Sequence, residues 1–202
     1  MPIVLASASP RRQELLENAG VEFVVNPANI PEVRYPGEAP QDFAKRMARE
    51  KARKVFAGTN DEYVLGADTV VVLGAMTAGG IGISPVDDEV VLGKPEDYEE
   101  AARMLRLLSG RKHHVITAVC LIGRNFEDVR CEATAVHFAA LGEADIRDYI
   151  ATGEPMDKAG AYAIQGAASR WISKIEGDYS NVVGLPVALV LQMLRDHRLG
   201  GS

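Results

Sequence analysis

Val64-Leu65-Gly66-Ala67-Asp68-Thr69-Val70-Val71-Val72-Leu73 is the stretch on which the fold reading turns. Its four valines and its lack of helix-favouring residues mark a strand, because β-branched side chains pack well on a pleated surface. Strand alternation puts Asp68 on the same face as Val70 and Val72. An ionised carboxylate among valines is costly unless it is paired, hydrogen-bonded or metal-bound. The same run therefore predicts both a core strand and a chemical site.

Outward from it, strand-like and helix-like segments alternate. Ile3 to Ala6 is a short apolar run that stops at Ser7-Ala8-Ser9-Pro10, where Ser9 suits an N-cap and Pro10 the first helical position. Leu15, Leu16 and Ala19 then recur at helical spacing, and Gly20 fits the stop. Val21 to Val25 reads as a strand, and a helix is expected from Gln41 to about Phe56. Further strands are expected at Glu89 to Leu92, Val115 to Ile122 and Val129 to Ala139, the last two joined by an Arg124 to Asp128 turn. Helices are expected over Glu96 to Leu108, Glu143 to Ala151 and Val187 to Arg198, with short strands around Tyr162 and over Trp171 to Ile175. This alternation predicts an α/β fold with a mixed central β-sheet flanked by helices. Residues 1–202 read as one domain, with two lobes permitted and not demanded by the pattern.

Composition narrows the function classes. The 202 residues carry a net charge of −6, which argues against polymeric nucleic acid as a partner, since such proteins usually present a basic footprint. No apolar run approaches the ~20 residues needed to span a bilayer, and the opening lacks the features of a signal peptide, so a cytoplasmic location and no membrane partner are expected. Cys120 and Cys131 have no metal-binding spacing and are expected to be two buried thiols. His113, His114, His137 and His197 show no ligand spacing either.

Chemistry concentrates at three places. A helix starting at Pro10 offers unpaired N–H groups and a positive dipole end, an anion site by construction. Arg11 and Arg12 in its first turn oppose that dipole, a placement that makes sense if they meet a polyanion; the bland alternative is two solvated arginines. Asp68 could bind a divalent cation, act as general base on a water, share both tasks, or merely cap a loop. In the Lys45 to Lys54 segment, Lys51 falls on the apolar stripe of Ala44, Met47, Ala48 and Val55. It should reach inward to a carboxylate or phosphate, or else snorkel at the core edge. The other basic residues there lie mostly on outer faces. Gly66 rules out the Asp-x-Asp of haloacid-dehalogenase phosphatases, and neither a P-loop nor a complete dinucleotide fingerprint occurs.

Taken together, Ser7-Ala8-Ser9-Pro10-Arg11-Arg12, Gly66-Ala67-Asp68-Thr69, Gly93-Lys94-Pro95, Gly153-Glu154-Pro155, Asp157 to Tyr162, Ile164-Gln165-Gly166 and Asn181 to Pro186 resemble the Maf family of nucleotide pyrophosphatases, in that family's order and over nearly the whole chain. The resemblance implies an α/β fold with two lobes and a cleft, similar to the inosine-triphosphate pyrophosphatases. It implies hydrolysis of a nucleoside triphosphate to the monophosphate and pyrophosphate with a divalent metal, Mg or Mn, and a homodimer. By the family pattern Asp68 is the proton acceptor and a metal ligand, and Glu32 supports the metal. Ser7, Arg11, Arg12, Lys51 and Lys94 are the phosphate contacts. Arg12, Thr69 and Gln165 match the branch acting on dTTP and UTP, with modified pyrimidine nucleotides as a further substrate class. A non-catalytic nucleotide-binding regulator of cell division is the alternative. The loop between Leu73 and Gly93 is longer than the tight hairpin expected of the family.

Overall fold

The computed structural model describes residues 2–58, 63–74 and 90–199. Most of the enlarged loop, and Glu89 at the start of the strand expected there, lie outside the described residues. The elements in chain order are β1 (Ile3–Leu5), α1 (Pro10–Asn18), β2 (Phe23–Val25), α2 (Pro40–Phe56), β3 (Tyr63–Leu73), β4 (Val90–Leu92), α3 (Tyr98–Leu108), β5 (Lys112–Gly123), β6 (Phe126–Phe138), α4 (Glu143–Ala151), β7 (Ile172–Glu176), α5 (Tyr179–Val183) and α6 (Val187–Asp196). The strands form one mixed sheet in the order β2-β1-β3-β5-β6-β7, with β4 also on β3. β1 is parallel to both β2 and β3, whereas β4 on β3 and β7 on β6 are antiparallel. The α/β class and the mixed sheet follow the alternation expected from the sequence.

The chain divides into two compact units. The first comprises residues 1–68, 117–132 and 184–202, the second 69–116 and 133–183. Each has its own core. In the first, Ile3, Leu5, Leu65, Val119 and Leu121 from the strands pack with Leu16 of α1 and Val190, Met193 and Leu194 of α6. In the second, Val71, Leu92, Val115 and Val136 pack with Met104, Leu105 and Leu108 of α3, Ile146 and Tyr149 of α4, and Trp171. None of the described helices is long and apolar enough to cross a membrane.

Three expectations change. The β5–β6 turn is confined to Arg124 and Asn125, because Phe126 and Glu127 continue the ladder. Gly123 makes this tight return workable: a Cβ there would lie 2.4 Å from the Phe126 ring. That ring in turn stacks on His197, with centroids 3.7 Å apart. No strand forms around Tyr162, where residues 154–171 instead hold three short 3₁₀ helices. Gly160 at φ 70° and Ala161 at φ 59° interrupt any extended course, and the Gly160 N–H donates to Gly93 O at 2.9 Å. Both cysteines are free, but only Cys120 is buried; Cys131 is half-exposed.

Candidate active site

The site in the first unit begins with a missing side chain. A Cβ on Gly66 would lie 2.3 Å from Ala48 O and 2.8 Å from Ala52 N, both backbone atoms of α2. Glycine inside a strand permits this contact of helix against strand, and it seats the apolar stripe of α2 on β3. Phe43, Ala44, Met47, Ala48, Ala52 and Val55 are buried on that stripe, and Lys51 is buried with them. With α2 so close, the Lys51 ammonium meets Asp68 Oδ1 at 2.6 Å and Glu32 Oε1 at 2.6 Å. Lys51 therefore reaches inward to carboxylates, as one of its two readings expected.

Asp68 is 5% exposed. Burial pushes its carboxyl above the usual carboxylate range, and the neighbouring Lys51 charge opposes that shift. Glu32 lies in the loop before α2 and stays partly open, its side chain 40% exposed. The pair thus consists of one dry acid and one wetter acid held on one cation. Among the described residues no group of three or more His, Cys, Asp or Glu converges as a metal cage. Two carboxylate oxygens on a common cation do fit a hard divalent ion of the magnesium type, which commonly takes one or two protein carboxylates and completes its shell with phosphate and water oxygens.

The α1 turn supplies the cationic side. Pro10 stands at the first helical position after Ser9, and the Ser7 hydroxyl accepts from the Ser9 N–H at 3.3 Å. Arg11 and Arg12 diverge. Arg11 is half-buried, whereas Arg12 turns inward: its guanidinium donates to Gly184 O at 2.8 Å, Ala67 O at 2.9 Å and Ser7 Oγ at 3.1 Å. At least three of its five N–H groups are committed to protein oxygens, which joins α1, the residue before Asp68, and the chain leading into α6. Burial lowers the Arg12 pKa while the Asp68 charge raises it. Three outer arginines of α2 are paired as well: Arg46 with Glu38 and Glu50, and Arg49 and Arg53 with Glu127.

The structure thus gathers Ser7, Arg12, Glu32, Lys51 and Asp68 in the first unit, with Arg11 on the first turn of α1. Thr69, Lys94 and Gln165 belong to the second unit. Thr69 is half-buried on β3, and Lys94 and Gln165 are exposed, Lys94 just after β4 and Gln165 between two 3₁₀ helices. In the sequence Gly66 excludes a phosphatase class and belongs to the Gly66 to Thr69 motif; its position inside a strand is the signal that would have revealed the close helix. The acceptors Ala67 O and Gly184 O had no sequence signal, since any residue carries a carbonyl.

The family model for Maf-like proteins matches residues 2–197. The chain belongs to the Maf-like protein family. Its relatives include a "dTTP/UTP pyrophosphatase" of Koribacter versatilis, 53% identical over 96% of this chain and 94% of that protein. A protein of the same name from Geobacter sulfurreducens is 51% identical over 96% of this chain and 95% of that one. Among solved structures, the Staphylococcus aureus Ham1 protein matches 98% of this chain and 100% of its own, with 13% identity and a TM-score of 0.46. The matched residues include both the Ser7 to Arg12 turn and the Gly66 to Thr69 segment.

Proposed function

We propose that this Maf-like protein is a nucleoside triphosphate pyrophosphatase that hydrolyses dTTP and UTP to the monophosphate and pyrophosphate. The observation that carries the reading is the buried Asp68 held with Glu32 on the Lys51 ammonium, with Arg12 of the first turn of α1 bonded to the preceding Ala67 carbonyl. Near-full-length relatives of about half identity, which carry the name dTTP/UTP pyrophosphatase, support the substrate.

In this reading water attacks the α-phosphorus, the bond from the α-phosphorus to the bridging oxygen breaks, and pyrophosphate leaves with that oxygen. Asp68 accepts the proton of the attacking water. Burial, which raises its pKa, brings it nearer to the operating pH, where a general base is most effective. Arg11 and the α1 N-terminus neutralise the triphosphate, and Lys94 adds a further phosphate contact. Lys51 keeps the two carboxylates together and offers its charge to the same oxygens. Arg12 orients Ser7 and the residue before Asp68. Asp68 and Glu32 would hold a divalent cation, Mg or Mn, which when bound would supply neutralisation of phosphate charge and a more acidic water. Thr69 and Gln165, with Arg12, select the pyrimidine triphosphate. A homodimer and a cytoplasmic location complete the proposal.

Incubation with dTTP, UTP, CTP, 5-methyl-UTP and inosine triphosphate, with Mg or Mn present, tests it by the product. Pyrophosphate and monophosphate in equal amounts are expected, fastest from dTTP, UTP or 5-methyl-UTP. Asp68→Asn should lower the rate by ~10²–10⁴, the range for loss of a general base. A near-wild-type rate in that variant would falsify the assignment of Asp68. Binding without any hydrolysis would instead favour a nucleotide-binding regulator.

A further inference from the structure

In the second unit, Glu154 and the Tyr149 hydroxyl bonded to it hold the two ends of the turn that carries Gln165. The Tyr149 hydroxyl donates to Glu154 Oε1 at 2.8 Å and accepts from the Ala163 N–H at 3.2 Å. Glu154 Oε2 accepts from the Ala167 N–H at 3.2 Å. The turn between those anchors closes on itself, since the Gly166 N–H donates to Ala163 O at 3.1 Å. Gln165 stands at its exposed tip.

Three further features suit this arrangement. A Cβ on Gly166 would fall 1.9 Å from Glu154 Oε1, so only glycine lets the carboxylate lie against the turn. The Glu154 backbone is itself fixed: its N–H donates to Thr152 Oγ1 at 3.2 Å, and its carbonyl accepts from Lys158 Nζ at 3.1 Å. Tyr149 is 1% exposed, with its ring edge-on to Trp171 at 5.3 Å, so the hydroxyl is delivered from a rigid core position. A charged acceptor that receives one O–H and one N–H donor forms stronger bonds than a neutral one.

We infer that Glu154, with Tyr149 behind it, is a positioning residue for substrate selection: the pair clasps the 163–167 turn and thereby sets how Gln165 is presented to the nucleotide. The inference rests on the reading of Gln165 as a specificity residue. Glu154 touches no reacting atom in this scheme. Its loss acts through the placement of Gln165, so it alters recognition more than turnover. Gly166→Ala acts on the same clasp from the other side by displacing the carboxylate.

Steady-state kinetics on dTTP and CTP separate these effects. Glu154→Ala and Gly166→Ala are each expected to raise KM for dTTP about tenfold, with kcat within about threefold, and to narrow the preference for dTTP over CTP about tenfold. Glu154→Gln, which keeps one acceptor oxygen, should recover part of the preference. The double variant Glu154→Ala with Gly166→Ala should be no worse than Glu154→Ala alone, as the clash needs the carboxylate. Gln165→Ala is the reference. If it narrows the preference and Glu154→Ala does not, the clasp proposal is overturned while the reading of Gln165 stands. If Gln165→Ala leaves the preference intact, both fall together. Should Glu154→Ala not fold, Tyr149→Phe, which keeps the ring against Trp171, decides: an unchanged preference overturns the proposal.

Discussion

The Lys51 ammonium lies 2.6 Å from Asp68 Oδ1 inside the first unit, and both side chains are almost fully buried. Removing one partner of such a pair leaves an uncompensated buried charge, whereas removing both does not. Lys51→Met is therefore expected to destabilise the protein by about 3–5 kcal/mol, and Asp68→Asn in the same background should recover most of that. Urea unfolding of the two single variants and the double variant measures the coupling. Equal midpoints for wild type and Lys51→Met would show that the pair contributes nothing net.

Gly66 sets the distance between α2 and β3. With Ala48 O only 2.3 Å from where a Cβ would lie, Gly66→Ala must push backbone away from backbone. The expected cost is about 1–3 kcal/mol, the usual range for overpacking. The same shift would draw Lys51 away from Asp68, so activity should fall more than the thermal midpoint suggests. A stable, fully active Gly66→Ala protein would contradict this account.

Arg12 is tied to Gly184 O, Ala67 O and Ser7 Oγ. A lysine carries the same charge at a single point and cannot bridge three separated acceptors. Arg12→Lys should cost about 1–3 kcal/mol of stability for the acceptors it leaves unpaired. A purely substrate-contacting arginine would change kinetics and leave the unfolding midpoint in place, so the two measurements together discriminate.

Acid should weaken the second unit through His113. Burial, assisted by the neighbouring His114, holds its imidazole pKa down at about 3, and its Nε2 lies 2.8 Å from the Tyr162 hydroxyl. In the unfolded chain the ring titrates at its ordinary value of about 6.5. Between those values the unfolded chain binds a proton that the folded chain does not. Its contribution is thus complete above about pH 6.5 and is lost as pH falls toward about 3, at about 1.4 kcal/mol per pH unit. His113→Gln should lose about 2 kcal/mol less than wild type between about pH 7.5 and about pH 5, read from urea midpoints. Parallel losses in the two proteins would exclude His113 as the acid-sensitive group.

Local pattern alone determined much of this protein. The valine run of β3, the Pro10 helix start, the stripe of α2 and the Gly20 stop after α1 are short-range features, and each appears where periodicity and capping rules put it. Periodicity also placed Lys51 on the buried stripe, because a helix face is a property of spacing.

Which oxygens Lys51 and Arg12 would meet was a different matter. Carbonyls such as Ala67 O and Gly184 O are chemically identical along the chain, so only the tertiary fold selects them. The same holds where close approach overrides propensity. Gly160 lies over Val71, where a Cβ would come within 2.9 Å, and the segment before Tyr162 forms 3₁₀ turns instead of the expected strand. Glu154 and Gly166 belong to two separate motifs of the sequence, and only folding sets one against the other. Spacing encodes faces and ends of elements, which arise from contacts within a few residues; partners across the fold depend on how backbones approach, which no single stretch of sequence contains.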